Sequence, residues 1–187
     1  MGSHSFSMGS LMARFDHAEY RLCRRLNRGV DHTFVRVFFK TASRLGDGAI
    51  WYALMIVLPF LYPERGLEVA LVMLATSAAG LAVYKLLKRT FVRERPFIRH
   101  AGISLAGAPL DRYSFPSGHT LHAVAFTWQA VAAFPETAFV LVPLACAIAA
   151  SRVVLGLHYP TDVLVGALIG VASGIAGSAT APSGTHS

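Results

Sequence analysis

From residue 48 onward, long apolar runs alternate with short polar breaks, and charge collects in the breaks. Five runs read as membrane-spanning helices: Ala49 to Tyr62, Leu67 to Leu87, His119 to Phe134, Thr137 to Val154 and Val163 to Ala179. Trp51, Tyr52 and Tyr62 sit where interfacial aromatics are expected. Tight turns at Pro63-Glu64-Arg65-Gly66 and Pro135-Glu136 would place the two remaining breaks, Arg89 to Gly118 and Arg152 to Thr161, on one membrane face. In the last run Gly166, Gly170 and Gly174 recur every four residues, a small-residue face suited to close packing inside the monomer.

Ahead of Gly48 the pattern is amphipathic. Leu11, Phe15, Leu22 and Leu26 alternate with Arg14, Arg21, Arg24 and Arg25, as in a helix lying in the membrane interface. His32 to Leu45 sets Phe34, Val37, Phe38 and Leu45 against Arg36, Lys40 and Arg44, and is too short and too charged to span. Residues 1–10 read as disordered or vector-derived, with no apolar core for a signal peptide, and residues 180–187 read as a disordered tail. The expected fold is therefore all-α: an integral membrane helical bundle of about five transmembrane helices with N-terminal interfacial helices, one membrane-embedded domain over residues 11–187.

Composition agrees. Of 187 residues 54% are hydrophobic and only 14% charged, against the quarter usual in soluble domains. The formal charge of +7 would suit nucleic acid, anionic lipid or an anionic substrate, but the cations abut apolar runs and form no soluble basic face, which excludes nucleic acid. Cys23 and Cys146 have no disulfide or metal spacing and read as buried, inert thiols. Oligomeric state is not legible.

The chemistry lies in three stretches. Lys88 closes the second run and is followed by Arg89, Arg93, Arg95 and Pro96; Lys85 and Arg89 suit snorkelling at a helix end. Ser114-Phe115-Pro116-Ser117-Gly118-His119 precedes the third run, where a helix start offers free N–H groups and the positive dipole end to an anion. The third is Ser151-Arg-Val-Val-Leu-Gly-Leu-His-Tyr-Pro-Thr-Asp162, with Pro160 fit to begin the last helix. Together Lys88, Arg95 and Arg152 supply three cations, Ser117 and Gly118 neutral donors, His119 and His158 two imidazoles, and Asp162 a carboxylate four residues past one of them. That set suits phosphoryl transfer: charge neutralisation, an in-line attacker and a protonated leaving group. His122, one turn after His119, and Tyr113 are candidates for substrate contact. Asp111 and Arg112 read as a solvated loop, and His100 as a loop residue.

These stretches resemble the type 2 phosphatidic acid phosphatase superfamily, whose motifs Lys-x6-Arg-Pro, Pro-Ser-Gly-His and Ser-Arg-x5-His-x3-Asp are matched with every spacing kept at Lys88–Pro96, Pro116–His119 and Ser151–Asp162. The resemblance covers about Gly48 to Ala179. It implies a membrane lipid phosphate phosphatase working through a phosphohistidine, without metal or other cofactor. By it, His158 is the nucleophile, Asp162 orients it, and His119 is the acid and then the base. Lys88, Arg95, Ser117, Gly118 and Arg152 cradle the phosphoryl group. Undecaprenyl diphosphate, phosphatidylglycerophosphate and phosphatidate are the candidate substrates, with an isoprenyl diphosphate preferred. The rivals are a vanadium-haloperoxidase-like oxidase, against which five apolar runs count, and a non-catalytic lipid-phosphate binding or transport module. A bacterial cytoplasmic membrane is the expected location. The N-terminal arginines favour a cytoplasmic site, whereas the resemblance favours the outer face.

Overall fold

The structure, a computed structural model, describes residues 8–109 and 111–180, with side chains over 14–109 and 111–179. The expected disorder of residues 1–7 and 181–187 lies outside the described residues, while Met8 to Ser10 belong to the first helix. The helices are α1 (Met8–Asn27), α2 (Thr33–Leu45), α3 (Ala49–Leu61), α4 (Gly66–Thr90), α5 (Pro96–Arg99), α6 (Gly118–Ala133), α7 (Ala138–Val154) and α8 (Pro160–Thr180). Glu94 and Tyr113 form an isolated antiparallel bridge.

All five expected runs are helical, but they are not equal. α4, residues 135–154 and α8 are each long and apolar enough to cross a membrane. α3 has 13 residues, about 20 Å of helix, and qualifies only together with α2, to which it is bent by 55°. α6 has 16 residues, about 24 Å, short of the ~30 Å hydrocarbon core. It is the bundle's central helix, and polar groups line its buried faces: His119, Thr120, Thr127 and Gln129. Such residues are tolerated at membrane depth because protein, not lipid, surrounds them; Gln129, for one, donates to Thr76 of α4 at 2.6 Å.

Apolar packing is completed by Trp51, Met55, Leu58, Met73, Phe126 and Ile148, drawn from α3, α4, α6 and α7. The glycine face of α8 lies on α6 so closely that a Cβ at Gly166 would stand 2.6 Å from the Ser117 carbonyl oxygen, and one at Gly170 2.6 Å from that of Leu121. Close backbone approach of this kind replaces the hydrophobic drive that lipid cannot supply. Outward, Ile56, Phe60, Leu71, Leu86, Phe139, Val140, Leu164 and Leu168 are exposed, as lipid-facing residues should be.

The N-terminal region is part of the bundle. α1 turns Glu19, Cys23 and Asn27 inward and leaves Phe15, Leu22 and Leu26 exposed beside its arginines. Asn27 donates to the carbonyls of Ser104 and Val154 at 2.9 Å each and accepts from the Ser104 N–H at 2.8 Å, tying two polar breaks together. Cys23 is buried as expected, but Cys146 is exposed. The inward face of α7 follows Leu141, Ala145, Ile148 and Arg152, a helical spacing that turns position 146 outward.

Candidate active site

Local structure explains why the three stretches converge. α7 ends at Val154, and Gly156 adopts φ +75°, in a turn where a Cβ would also meet the Ser104 carbonyl at 2.7 Å. Only glycine suits both demands. The chain reverses, and Pro160 opens α8 with its missing N–H where none is needed. His158 is thereby held between two helix ends, its N–H bonded to the Arg152 carbonyl at 2.9 Å.

His158 is fully enclosed, and its ring contacts fix its tautomer. Arg95 Nη1 lies 3.1 Å from Nε2. A guanidinium can only donate, so Nε2 carries the lone pair and Nδ1 the proton. Nδ1 faces Asp162 Oδ2 at 3.7 Å, too long for a hydrogen bond, and has no other partner among the described residues. Burial pushes the imidazole down to about 3; the Asp162 carboxylate pulls against this, and Arg152 and Arg95 reinforce it. His158 is therefore neutral at physiological pH, with its Nε2 lone pair held by Arg95.

This shift carries a stability consequence. The unfolded chain binds the His158 proton near 6.5, whereas the native protein resists it down to about 3. Between those values the unfolded state holds more protons, so native stability falls as pH is lowered through that window. The melting temperature of purified protein should drop on acidification from pH 6.5 to 4.5, and drop less in His158→Gln. An identical slope in both would assign the sensitivity to other groups.

Asp162 is held on both oxygens: Oδ2 accepts from the Tyr159 N–H and Oδ1 from Arg93 Nη1, each at 2.8 Å. Arg93 also bonds Thr161 at 2.8 Å, pairs with Glu19 Oε2 and lies 3.9 Å over the Tyr159 ring. Glu19 in turn accepts from the Thr161 N–H and hydroxyl. A buried carboxylate on α1 thus anchors the arginine that orients the Asp162 carboxylate. Neither Glu19 nor Arg93 stands out in the sequence, because an acid among arginines on an amphipathic helix looks like a surface pair.

The cations take distinct places. Lys88 Nζ meets Asp111 Oδ2 at 2.6 Å, and Arg95 reaches Asp111 Oδ1 at 2.9 Å and its carbonyl at 2.7 Å. Asp111 is therefore not the solvated loop residue expected. Its loop folds back so that one carboxylate bridges two enclosed cations, which makes their burial tolerable. Burial would raise the Asp111 carboxyl, but hydrogen bonds from Lys88, Arg95 and Tyr84 outweigh it and hold it below the usual carboxylate range. Among the described residues Arg152, 1% exposed, has no carboxylate partner within salt-bridge distance and its buried Nε has no partner, while Nη1 bonds Ser43 of α2. A buried guanidinium with an unused donor calls for an anion.

Ser117 caps α6 and sits at the site, but its hydroxyl is bonded to Thr120 at 2.9 Å and its N–H to the Asp162 carbonyl at 3.0 Å. Gly118 begins the helix with no room for a side chain, since a Cβ would stand 2.9 Å from the Tyr84 ring. His119 follows, its Nε2 2.5 Å from Asp47 Oδ1. His122 lines the same 260 Å³ cavity as His119, with Asp47, Ser77 and Tyr84 among otherwise apolar walls, and bonds the Gly118 carbonyl at 2.9 Å. Tyr113 is half-buried in the bridge to Glu94 and does not line that cavity. Arg112 is exposed and pairs with Glu94, and His100 packs on Tyr20. No group of three His, Cys, Asp or Glu suited to a metal ion occurs among the described residues.

Comparison with known proteins points the same way. The family model described as PAP2 superfamily matches residues 67–182. The chain is 32% identical over 135 residues to decaprenylphosphoryl-5-phosphoribose phosphatase of Mycobacterium tuberculosis, covering 71% of this chain and 72% of that one. It is 31% identical over 99 residues to undecaprenyl-diphosphatase BcrC of Bacillus subtilis, covering 53% and 51%. The crystal structure of Aquifex aeolicus LpxE superposes with a TM-score of 0.70 at 30% identity, over 84% of this chain and 92% of that one.

Proposed function

The chain belongs to the PAP2 superfamily, and on that premise we propose that it is an integral-membrane phosphatase of lipid phosphates acting through a phosphohistidine at His158. It is a protein of the bacterial inner membrane. The observation that carries the mechanism is the His158 ring: neutral, its Nε2 lone pair beside Arg95, its Nδ1–H toward Asp162. Arg95 Nη1 shifts from Nε2 to a phosphoryl oxygen, the freed Nε2 lone pair attacks phosphorus and the bond to the leaving oxygen breaks, with His119 giving that oxygen a proton. Water then attacks the phosphohistidine, His119 takes the water proton, and the P–N bond breaks to release orthophosphate. Arg152, Arg95, Lys88 and the N–H groups opening α6 neutralise the equatorial oxygens. The Ser117 hydroxyl joins them by turning from Thr120.

The preferred substrate class is a polyprenyl phosphate or diphosphate. Two relatives are named for decaprenyl- and undecaprenyl-linked substrates. An apolar groove of 610 Å³ between α6, α7 and α8 also runs up to Thr120 and Pro160, the helix starts that flank the site, and suits a long hydrocarbon chain. The test is phosphate release by purified protein from undecaprenyl diphosphate, phosphatidylglycerophosphate and phosphatidate. Undecaprenyl diphosphate is expected to give the highest kcat/KM, with turnover unchanged in EDTA. A tenfold preference for either glycerolipid would refute the substrate class, and loss in EDTA restored by magnesium would refute the metal-free route.

A further inference from the structure

The loop between α2 and α3 reads Gly46-Asp47-Gly48, and both glycines are dictated by what lies around them. A Cβ at Gly46 would stand 2.8 Å from Ile148 Cγ2 and 3.2 Å from the His119 ring. Gly48 adopts φ +123°, a conformation that L side chains rarely reach. Between these two constraints the backbone presents Asp47 to His119, whose ring is 7% exposed, with Nε2 to Oδ1 at 2.5 Å. A carboxylate only accepts, so Nε2 carries a proton. Nδ1 has no hydrogen-bond partner among the described residues and is left to exchange protons. The Asp47 side chain is itself 51% exposed, so no burial forces it onto this partner.

We propose that Asp47 is a positioning residue for proton transfer: it fixes the His119 ring through Nε2–H and stabilises the imidazolium that serves as acid. The proposal rests on the phosphatase reading above. As the P–O bond breaks, Nδ1–H passes its proton to the leaving oxygen, and the neutral ring keeps its Nε2–H on Asp47. When water attacks the phosphohistidine, the Nδ1 lone pair takes the water proton and the imidazolium forms again, opposite the carboxylate. The site then holds two carboxylate–imidazole pairs with divided tasks: Asp162 sets the attacking ring, Asp47 the proton-carrying one. Such a carboxylate holds tautomer and orientation without itself becoming protonated.

A role through the leaving group has a signature that a merely structural role lacks. An alkyl alkoxide needs its proton as the bond breaks, whereas p-nitrophenolate leaves without one. The experiment measures kcat/KM, which reports steps up to phosphorylation of His158, on a lipid phosphate monoester and on p-nitrophenyl phosphate. It compares the full chain in detergent with Asp47→Asn and Asp47→Glu. Asp47→Asn is expected to lower kcat/KM for the lipid monoester by about 10- to 100-fold and to change that for p-nitrophenyl phosphate less than threefold, with Asp47→Glu recovering much of the loss. Equal losses on both substrates, or none on either, would overturn the proposal. If the unaltered chain releases phosphate from neither substrate, the phosphatase reading itself falls, and the proposal with it.

Discussion

Replacing His158 with alanine or asparagine is expected to reduce phosphate release by at least about 10³-fold, because no other group can take the attacking position. Among the described residues His158 is the only imidazole against the Arg95 guanidinium, and the turn at Gly156 with the helix start at Pro160 leaves it little freedom. Asparagine tests the point best, since it fills much of the space and can accept from Arg95 while offering no nucleophile for a stable phosphoenzyme. Helical content and detergent elution should be unchanged. Quenching wild type with labelled substrate in alkali should trap an acid-labile phosphoenzyme that His158→Asn lacks. Residual turnover within tenfold of wild type, or an equally labelled variant, would move the nucleophile elsewhere.

How much of this site could be read before folding depends on how local each signal is. Lys88, Arg95, Ser117, Gly118, His119, Arg152, His158 and Asp162 fall in three short stretches whose internal spacing is itself the signal. Their partners do not. Glu19 reaches Thr161 across 142 residues, Arg93 reaches Asp162 across 69, and Asp47 reaches His119 across 72. Each looks locally like something ordinary: a helix-surface acid, one more arginine in a basic break, a turn aspartate. The N-terminal forty-odd residues lie outside the motif pattern, yet they contribute Glu19, Asn27 and Ser43, each bonded to a motif stretch or its neighbours. Gly46-Asp47-Gly48 did carry one readable hint, since two glycines around a single acid is more than a turn requires.

The helices show the same division. Apolar run length located α4, α7 and α8 well, because a lipid-facing helix must be apolar over its whole span. It overstated α3 and α6. Thr127 and Gln129 interrupt the apolar pattern of α6 and mark it as a helix shielded by its neighbours, and its 16 residues are fewer than a lone span needs.

Arg95→Lys should be nearly as damaging as loss of the nucleophile, although it conserves charge. The guanidinium makes four contacts: Nε to the Asp111 carbonyl at 2.7 Å, Nη2 to Asp111 Oδ1 at 2.9 Å, and Nη1 to the Leu157 carbonyl at 2.9 Å and His158 Nε2 at 3.1 Å. The Leu157 and His158 contacts hold the reacting ring, and the Asp111 contacts hold the loop that also pins Lys88. A lysine ammonium is a point donor on a flexible stem and cannot span both sides of that fork. Losing a preorganised donor at the reacting group costs about 10²- to 10³-fold in rate, and that loss is expected in kcat/KM on the best lipid substrate. Because the charge remains, competitive inhibition by orthophosphate should weaken far less, by about threefold to tenfold. A lysine variant retaining a third of wild-type kcat/KM would show that positive charge alone suffices at this position, and that the fork is dispensable.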